Sequence, residues 1–203
     1  MAEHRNFQEP VGGSPTACSA DMTEPDKYKQ LNDQLWSELE QAVTDRQHGW
    51  RTPVLATVDA DGLPDARTVV LRAADRARQT LKVFTDQRSP KIVQLQANPQ
   101  AQLVFWCPSR QWQLRAKVAV TIDINSDQTA AIWTRIRQMA AAGDYLTAEA
   151  PGSLLSDQAP LSVDQHALCV MEFKTVSLDW LMLGRQGHRR ARLEHDTLAW
   201  LTP

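Results

Sequence analysis

The sequence predicts a mainly β fold, an antiparallel barrel of six or more strands with helices at its periphery. Three observations lead to this prediction. Short runs of alternating or β-branched apolar residues, separated by turn residues, recur from residue 54 almost to the C-terminus. Helical periodicity is confined to a few segments, without the strand–helix–strand alternation of a parallel sheet. The strand predicted over residues 111–124 has a length typical of strands that bend around a barrel.

The N-terminal part of the chain divides into two regions. Residues 1–25 are rich in Gly, Pro, Ser and Glu and carry almost no apolar periodicity, which predicts a disordered tail. From Asp26, apolar residues recur at spacings of three and four, as in an amphipathic helix, and this pattern ends near Gly49. We therefore expect residues 26–203 to form one domain, with this helix against the barrel.

The first predicted hairpin contains two arginines within an apolar strand. A β-branched run over residues 54–58 is followed by Asp61-Gly62, a strong hairpin signal, and a strand over 65–72 reverses it. Arginine in such a strand is seldom buried without an anionic partner, although a strand at the barrel rim could hold it in water. The period of two assigns the side chains to two faces, one with Arg67, Val69 and Leu71 and the other with Thr68, Val70 and Arg72.

The remaining elements follow from the same patterns. They are a strand over residues 81–85, a short helix from Ser89-Pro90 to Asn98-Pro99, strands over 101–106 and 111–124, a helix after Ser126 or Asp127, a loop-like segment over 141–165, strands over 167–173 and 176–183, a basic turn over 185–192 and an apolar segment over 198–201.

Composition excludes several classes of function. A formal net charge of -2 provides no positive field for nucleic acid. No apolar run approaches the roughly 20 residues that span a bilayer, and no secretory signal is visible. The three cysteines are widely spaced, which argues against disulfides and a zinc site and favours a cytoplasmic location. We therefore expect no membrane, nucleic-acid or metal partner.

The segment from Thr85 to Lys91 is the best candidate for an anion site. A strand that leads into a helix presents free N–H groups and the positive end of the helix dipole. Arg88 and Lys91 add charge, and Thr85 and Ser89 add hydroxyl donors. Taken alone, the segment fits either a phosphate cradle or a capped helix with two solvated basic side chains.

Several short motifs in register carry a family resemblance over roughly residues 30–124. They resemble the pyridoxamine 5'-phosphate oxidase family in order and spacing, and a looser similarity covers 180–192 and 200–203. The motifs are Leu55-Ala56-Thr57-Val58-Asp59 with Asp61-Gly62 and Pro64, Arg67-Thr68-Val69-Val70-Leu71-Arg72, Phe84-Thr85, Ser89, Lys91, Asn98-Pro99, Val104-Phe105 and Arg110-Gln111.

The resemblance implies an FMN-binding split barrel, usually a homodimer with two flavins at its interface. In that family Arg67 and Lys91 would hold the FMN phosphate, with Arg88 and Ser89 beside them, and Gln111 would hydrogen-bond the cofactor. Phe84 and Thr85 would line the ring and the phosphate region. The backbone beside the flavin would be that of Thr68, Val69, Val70 and Leu71.

The chain departs from the family pattern at three places. Pro90 replaces an arginine, for which Arg88 could substitute, and Arg72 replaces a lysine that meets the substrate phosphate. The C-terminal Arg-x-His-Asp-Arg signature is replaced by residues 188–192, His-Arg-Arg-Ala-Arg, in which alanine stands in place of histidine. These departures argue against vitamin B6 oxidation. Arg72, His188 and Arg189 are our predicted substrate contacts, while a solvated basic turn is the alternative for the last two.

The sequence thus predicts an FMN-binding flavoprotein, an oxidoreductase acting on a small molecule. A side-chain acid or base is not required, since flavin itself accepts the hydride. Two alternatives remain open: a flavin carrier or sensor without turnover, and a barrel that binds another phosphate-bearing ligand or a protein.

Overall fold

The computed structural model describes residues 23–154 and 165–203. Two 3-10 turns, Gly49–Arg51 and Ala140–Tyr145, supplement its helices and strands. The helices are α1 (Glu24–Thr44), α2 (Pro90–Ala97) and α3 (Asp127–Ile136), and the strands are β1 (Val54–Val58), β2 (Pro64–Thr68), β3 (Leu71–Asp75), β4 (Thr80–Asp86), β5 (Gln100–Cys107), β6 (Trp112–Asp123), β7 (Leu168–Met182), β8 (Arg189–Glu194) and β9 (Thr197–Leu201).

The nine strands of the described residues form one antiparallel sheet. Seven of them follow the order β2-β1-β5-β6-β7-β4-β3, and β8 and β9 are attached beside β7. β7 is long enough to pair with β4 through residues 168–174 and with β8 through residues 177–182, and β9 extends the sheet beyond β8. The two ends of the main order, β2 and β3, are consecutive in sequence, so the sheet curls back towards its start. The predicted antiparallel barrel with peripheral helices is confirmed.

The core lies between the inner face of the sheet and helix α1. The helix contributes Leu35, Trp36 and Leu39, all almost completely buried. They join Trp50, Phe105 and other inward residues of the strands in one cluster. Burial of an aliphatic or aromatic side chain stabilises the fold by about 1.5–3 kcal/mol, so these contacts fix α1 on the barrel.

The strand predicted over residues 65–72 is in fact two strands. β2 pairs with β1, β3 pairs with β4, and Val69 and Val70 lie between them. The Val69 N–H bonds to the Pro53 carbonyl, outside both ladders. The chain crosses here from one side of the barrel to the other, so the predicted division of 67–72 into two continuous faces is wrong.

The two strands predicted over 167–173 and 176–183 are one, β7. Its partner β6 pairs with it on both sides of the supposed gap, and the register shifts by one residue between Lys117 and Val118. Val176 is the extra residue of this β-bulge, and its side chain is exposed. A bulge bends a strand without ending it, which the sequence pattern could not distinguish from a turn.

Three predicted boundaries also change. Helix α1 begins at Glu24, inside the predicted tail, because Thr23 is its N-cap and Pro25 fits its first turn; it ends at Thr44, before Gly49. The rest of the predicted tail, up to residue 22, lies outside the described residues. Arg189 to Arg192 belong to strand β8 and not to a turn. No helix among residues 23–154 and 165–203 has the length and apolarity needed to cross a bilayer.

Candidate cofactor and substrate site

The predicted phosphate cradle forms where strand β4 ends and helix α2 begins. Ser89 is the N-cap of α2, but its side chain makes no capping hydrogen bond. Its buried Oγ lies 3.5 Å from Thr85 Oγ1, which also accepts a hydrogen bond from Lys91 Nζ at 3.1 Å. Thr85, Ser89 and Lys91 therefore meet at one point, with one lysine N–H used and two still available.

Arg67 reaches the same place from β2 and is held rigidly. Its guanidinium donates to the Thr57 hydroxyl and to Gln94 Oε1 of α2, and it forms an ion pair with Asp65. Gln94 Nε2 closes the network by donating to Asp65 at 2.9 Å. An arginine held in this way loses little conformational entropy on binding an anion.

Electrostatics at the cradle favour an anion. Burial lowers the pKa of Lys91, and the nearby charge of Arg67 lowers it further, against the opposing effect of Asp86 and Asp65. The hydrogen bond from Gln94 and the charge of Arg67 lower the pKa of Asp65. A phosphate dianion here would relieve the repulsion between Lys91 and Arg67, so the residues present fit the FMN phosphate.

The segment predicted to run beside the flavin ring, residues 68–71, adjoins the cradle through β2. Thr68 is exposed at the end of β2, and Leu71 is fully buried opposite Val83. Between them Val69 is buried and Val70 half-buried, at the crossing point of the chain. Irregular backbone leaves N–H and C=O groups free to bind a ligand edge.

A groove of about 1020 Å³ opens on the other side of β4. Strand β3, helix α3 and the 3-10 turn at Ala140–Tyr145 form its walls. Phe84 lines it, one residue from Thr85 of the cradle. The lining combines apolar and basic side chains, Phe84, Ile132, Ile136, Met139 and Tyr145 with Arg72, Lys82 and Arg135.

Arg72 is the basic residue of the groove with unmet hydrogen-bonding capacity. Its Nε is buried and has no partner. Burial raises the pKa of Tyr145, while the positive charge of the neighbouring Arg72 guanidinium opposes that shift. Because the Arg72 side chain lines the groove, its positive charge is suited to an anionic group of a ligand.

Arg88 makes a different set of contacts from the other predicted phosphate ligands. It pairs with the buried carboxylate of Asp86, at 2.6 Å, and donates to the backbone carbonyls of Thr147 and Ala148. Its side chain thus faces the loop after Tyr145. Its role as a phosphate ligand remains a prediction.

Three other predicted residues lie far from the cradle along the same chain. Gln111 occupies the β5–β6 turn with a positive φ of 55°, beyond Cys107. Leu103, which is level with Arg67 across β1, is four residues before Cys107, about 13 Å along the strand. Within one chain, therefore, Gln111 does not reach the cradle.

His188 and Arg189 lie at the same remote end. His188 Nδ1 accepts a hydrogen bond from the Gly184 N–H, and Arg189 lies over the Trp200 ring at 4.8 Å. Arg189 of β8 pairs with Met182 of β7, whereas the Leu71–Val83 pair is level with Met171 of β7. These β7 positions are on the order of 30 Å apart along an extended strand.

Sequence reasoning missed two groups of residues. Tyr145 and Arg135 belong to the groove, but Tyr145 lies in a segment predicted as loop. On the outer face of the sheet, Asp179 accepts hydrogen bonds from Arg115 at 2.7 Å and from Arg190 at 3.0 Å. Alternation could have found Arg190, since Ala191 and Leu193 are buried on the other face, but the Asp179 pairing depends on the strand register.

The sequence matches a known family. Residues 18–123, just over half of the chain, match the model of the pyridoxamine 5'-phosphate oxidase FMN-binding domain. Two curated relatives are pyridoxine/pyridoxamine 5'-phosphate oxidases. The Hyphomonas neptunium enzyme is 48% identical over 66 residues, 32% of this chain and 29% of the relative. The Caulobacter vibrioides enzyme is 28% identical over 174 residues, 78% of this chain and 72% of the relative. A third relative, from Azorhizobium caulinodans, is 37% identical over 53% of this chain and 51% of the relative. The chain therefore spans about half or less of the length of the Hyphomonas and Azorhizobium relatives.

Solved structures share the fold. A pyridoxamine 5'-phosphate oxidase-related, FMN-binding protein from Nostoc punctiforme has a TM-score of 0.67 at 20% identity, over 84% of this chain and 96% of that one. PhzG from Burkholderia lata, in complex with tetrahydrophenazine-1-carboxylic acid, has a TM-score of 0.68 at 16% identity, over 91% of this chain and 100% of that one. This protein belongs to the pyridoxamine 5'-phosphate oxidase family with its FMN-binding split barrel, and its cofactor is FMN.

Proposed function

We propose that the protein is an FMN-dependent oxidoreductase acting on a small anionic molecule. The observation that carries the proposal is the position of β4 between two sites: Thr85 lies in the cradle with Lys91, and the adjacent Phe84 lines the groove that contains Arg72. A cofactor anchored by its phosphate in the cradle would have its ring near this groove. Bound FMN supplies the two-electron chemistry.

Each residue has a role in this scheme. Arg67 and Lys91 bind the phosphate, and Thr85 and Ser89 add hydroxyl donors. The backbone of residues 68–71 and the Phe84 side chain hold the ring. Arg72, whose side chain lines the groove, binds the substrate anion through its guanidinium charge and orients the substrate.

The substrate class follows from the groove lining. The lining has aromatic and aliphatic side chains, and its five basic residues outnumber its two acidic ones, Glu40 and Asp75. This combination suits a planar molecule with a carboxylate or phosphate group. The two kinds of relative offer test compounds of this type, since the curated relatives are pyridoxine/pyridoxamine 5'-phosphate oxidases and PhzG holds tetrahydrophenazine-1-carboxylic acid.

A homodimer would complete the site. Gln111, His188 and Arg189 lie away from the cradle and groove of their own chain, so they could contact flavin or substrate only in a second copy. Trp106 and Val54 supply an apolar patch on the outer face of the sheet, with 40% and 38% of their surface exposed. Large apolar side chains exposed together are typical of interfaces.

The test is anaerobic reduction of the bound flavin. Pyridoxine 5'-phosphate, pyridoxamine 5'-phosphate and tetrahydrophenazine-1-carboxylic acid would each be mixed with the FMN-loaded protein while the visible flavin band is recorded. The proposal predicts bleaching by at least one planar anion and a reduction rate at subsaturating substrate at least about tenfold lower in Arg72→Ala, from the loss of a charged hydrogen bond. Arg46→Ala, a change of an exposed arginine, is the control.

A second candidate function is a flavin carrier or sensor without turnover. The contacts of His188 with Gly184 and of Arg189 with Trp200 favour it, because these residues are occupied within their own chain. Full occupancy by FMN, without reduction by any of the three compounds, would support this candidate over the oxidoreductase.

A further inference from the structure

Arg88 is joined to the carboxylate that precedes it by a compact set of hydrogen bonds. Asp86 Oδ1 accepts from the Arg88 backbone N–H at 2.7 Å and from Nε at 3.0 Å, and Oδ2 accepts from a terminal nitrogen at 2.6 Å. Asp86 is 4% exposed, so this pairing neutralises a buried charge. One edge of the guanidinium is thereby fully used.

The other edge of the guanidinium reaches across to the groove wall. It donates to the Ala148 carbonyl at 3.0 Å and to the Thr147 carbonyl at 2.9 Å. A second contact joins the same two segments, since the Gln87 N–H bonds to the Ala167 carbonyl and the Ala167 N–H bonds to the Tyr145 carbonyl. The cradle turn is thus tied to the wall at two consecutive residues, at Gln87 through Ala167 and at Arg88 directly.

The wall held in this way carries Tyr145, which is 5% exposed and lines the groove. Its phenol lies beside Arg72, the predicted substrate ligand. Only Leu146 separates Tyr145 from Thr147, the first of the two residues whose carbonyls Arg88 binds. Movement of those carbonyls would therefore change the contact between Tyr145 and Arg72.

We propose that Arg88 is a positioning residue for the substrate groove: it holds the 145–148 wall against Arg72 and does not bind the cofactor phosphate. The groove assignment rests on the proposed function, but the contact between the cradle turn and the wall does not. Because Arg88 links the cradle turn to the groove wall, the distance between the phosphate cradle and the substrate groove stays fixed.

The most useful variant is Arg88→Lys. A lysine keeps the positive charge beside Asp86, but it has a single ammonium group in place of a planar fork and cannot bind Asp86 and both carbonyls at once. The buried carboxylate stays paired, so the fold is preserved. Arg46→Lys, a change of an exposed arginine, is the matched control.

The chain contains only two tyrosines, Tyr28 and Tyr145, so labelling the Cζ carbon alone with 13C-tyrosine gives two NMR signals, assigned with Tyr28→Phe. We expect Arg88→Lys to shift or broaden the Tyr145 signal and to leave that of Tyr28 unchanged. An unchanged Tyr145 signal in Arg88→Lys would overturn the proposal. This measurement requires neither turnover nor FMN.

Titration with FMN separates positioning from phosphate binding. Arg88→Lys is expected to bind FMN within about threefold of the native affinity, whereas Lys91→Ala loses at least about tenfold, because Lys91 contacts the phosphate and Arg88 does not. If Arg88→Lys loses as much FMN affinity as Lys91→Ala, Arg88 is a phosphate ligand and the inference is wrong. Failure of the proposed function is seen separately, as native protein that binds FMN but reduces it with no compound.

Discussion

Lys91 and Arg67 illustrate how single residues prepare an anion site. Both are partly buried, and each relies on neutral or acidic neighbours, Thr85 for Lys91 and Asp65 for Arg67. Their mutual repulsion contributes to the lowered pKa of Lys91. Binding of a dianion reverses this repulsion, so cofactor affinity and the protonation of Lys91 are linked.

This linkage predicts a pH dependence of FMN binding. Because the pKa of Lys91 in the free protein is lowered, binding is strongest below it and weakens as the pH rises through it, by up to about tenfold per pH unit. Lys91→Arg stays charged and should give a flat profile over the same alkaline range. Fluorescence titration of FMN at a series of pH values measures both, with riboflavin as the ligand without phosphate. Equal slopes for native and Lys91→Arg would contradict the assignment of Lys91 to the phosphate.

The residues of the cradle could be predicted from the sequence. Only some residues of the groove could be predicted in this way. Thr85, Ser89 and Lys91 are local in sequence, and the helix start brings them together. Tyr145 meets Arg72 from a segment without periodicity, so no sequence pattern indicated the contact. The contact of Arg88 with Thr147 spans 59 residues and depends on the tertiary fold.

At the scale of elements, strands β6, β7 and β8 are joined on their outer face by one carboxylate. Asp179 accepts hydrogen bonds from Arg115 of β6 and Arg190 of β8. Burial raises the pKa of Asp179, but these hydrogen bonds and the arginine charges outweigh that effect and lower it. The register between β6 and β7 brings Arg115 opposite Asp179, and the bulge at Val176 sets that register. Neither the register nor the bulge could be recognised in the sequence.

The ion pairs of Asp179 predict a loss of stability in acid. Because its folded-state pKa is lowered, its contribution is present above the pKa of the unfolded chain and is lost as the pH falls through the folded-state pKa. Asp179→Asn should reduce the free energy of unfolding by about 2–3 kcal/mol at neutral pH. It should also make that free energy fall less steeply as the pH is lowered. Urea unfolding from neutral pH to pH about 3 measures this. Asp61→Asn, in the exposed β1–β2 turn, is the control, and an equally steep acid loss in Asp179→Asn would count against the account.

In the whole molecule, the predicted site residues fall into two separate groups. Arg67, Lys91 and Arg72 surround the cradle and groove, whereas Gln111 and Arg189 lie beyond them, beside the ends of β5 and β7. The homodimer proposed above, with the outer sheet faces paired, would bring residues of the second group from one copy to the first group of the other. Antiparallel topology was predictable from the sequence, but the crossing at Val69 and Val70 was not, because both sides of it read as a single strand.

Trp106 is the side chain that tests this assembly. Trp106→Glu places a charge on the apolar outer face and should convert a dimer to a monomer in sedimentation analysis, with a loss of FMN affinity as Gln111 of the second copy is removed. Val93→Glu changes another exposed apolar residue, on helix α2, and should remain dimeric. A native protein that sediments as a monomer, or a dimeric Trp106→Glu, would contradict the proposed interface.

We propose that FMN binds through a phosphate cradle built on Arg67 and Lys91. The most direct measurement is equilibrium titration of the native protein and of the Arg67→Ala, Lys91→Ala double variant with FMN and with riboflavin. The account predicts that the native protein prefers FMN to riboflavin by at least about a hundredfold and that the double variant abolishes this preference, because two charged contacts to the phosphate are lost. Native protein that binds both ligands equally, or a double variant that keeps the preference for FMN, would contradict it.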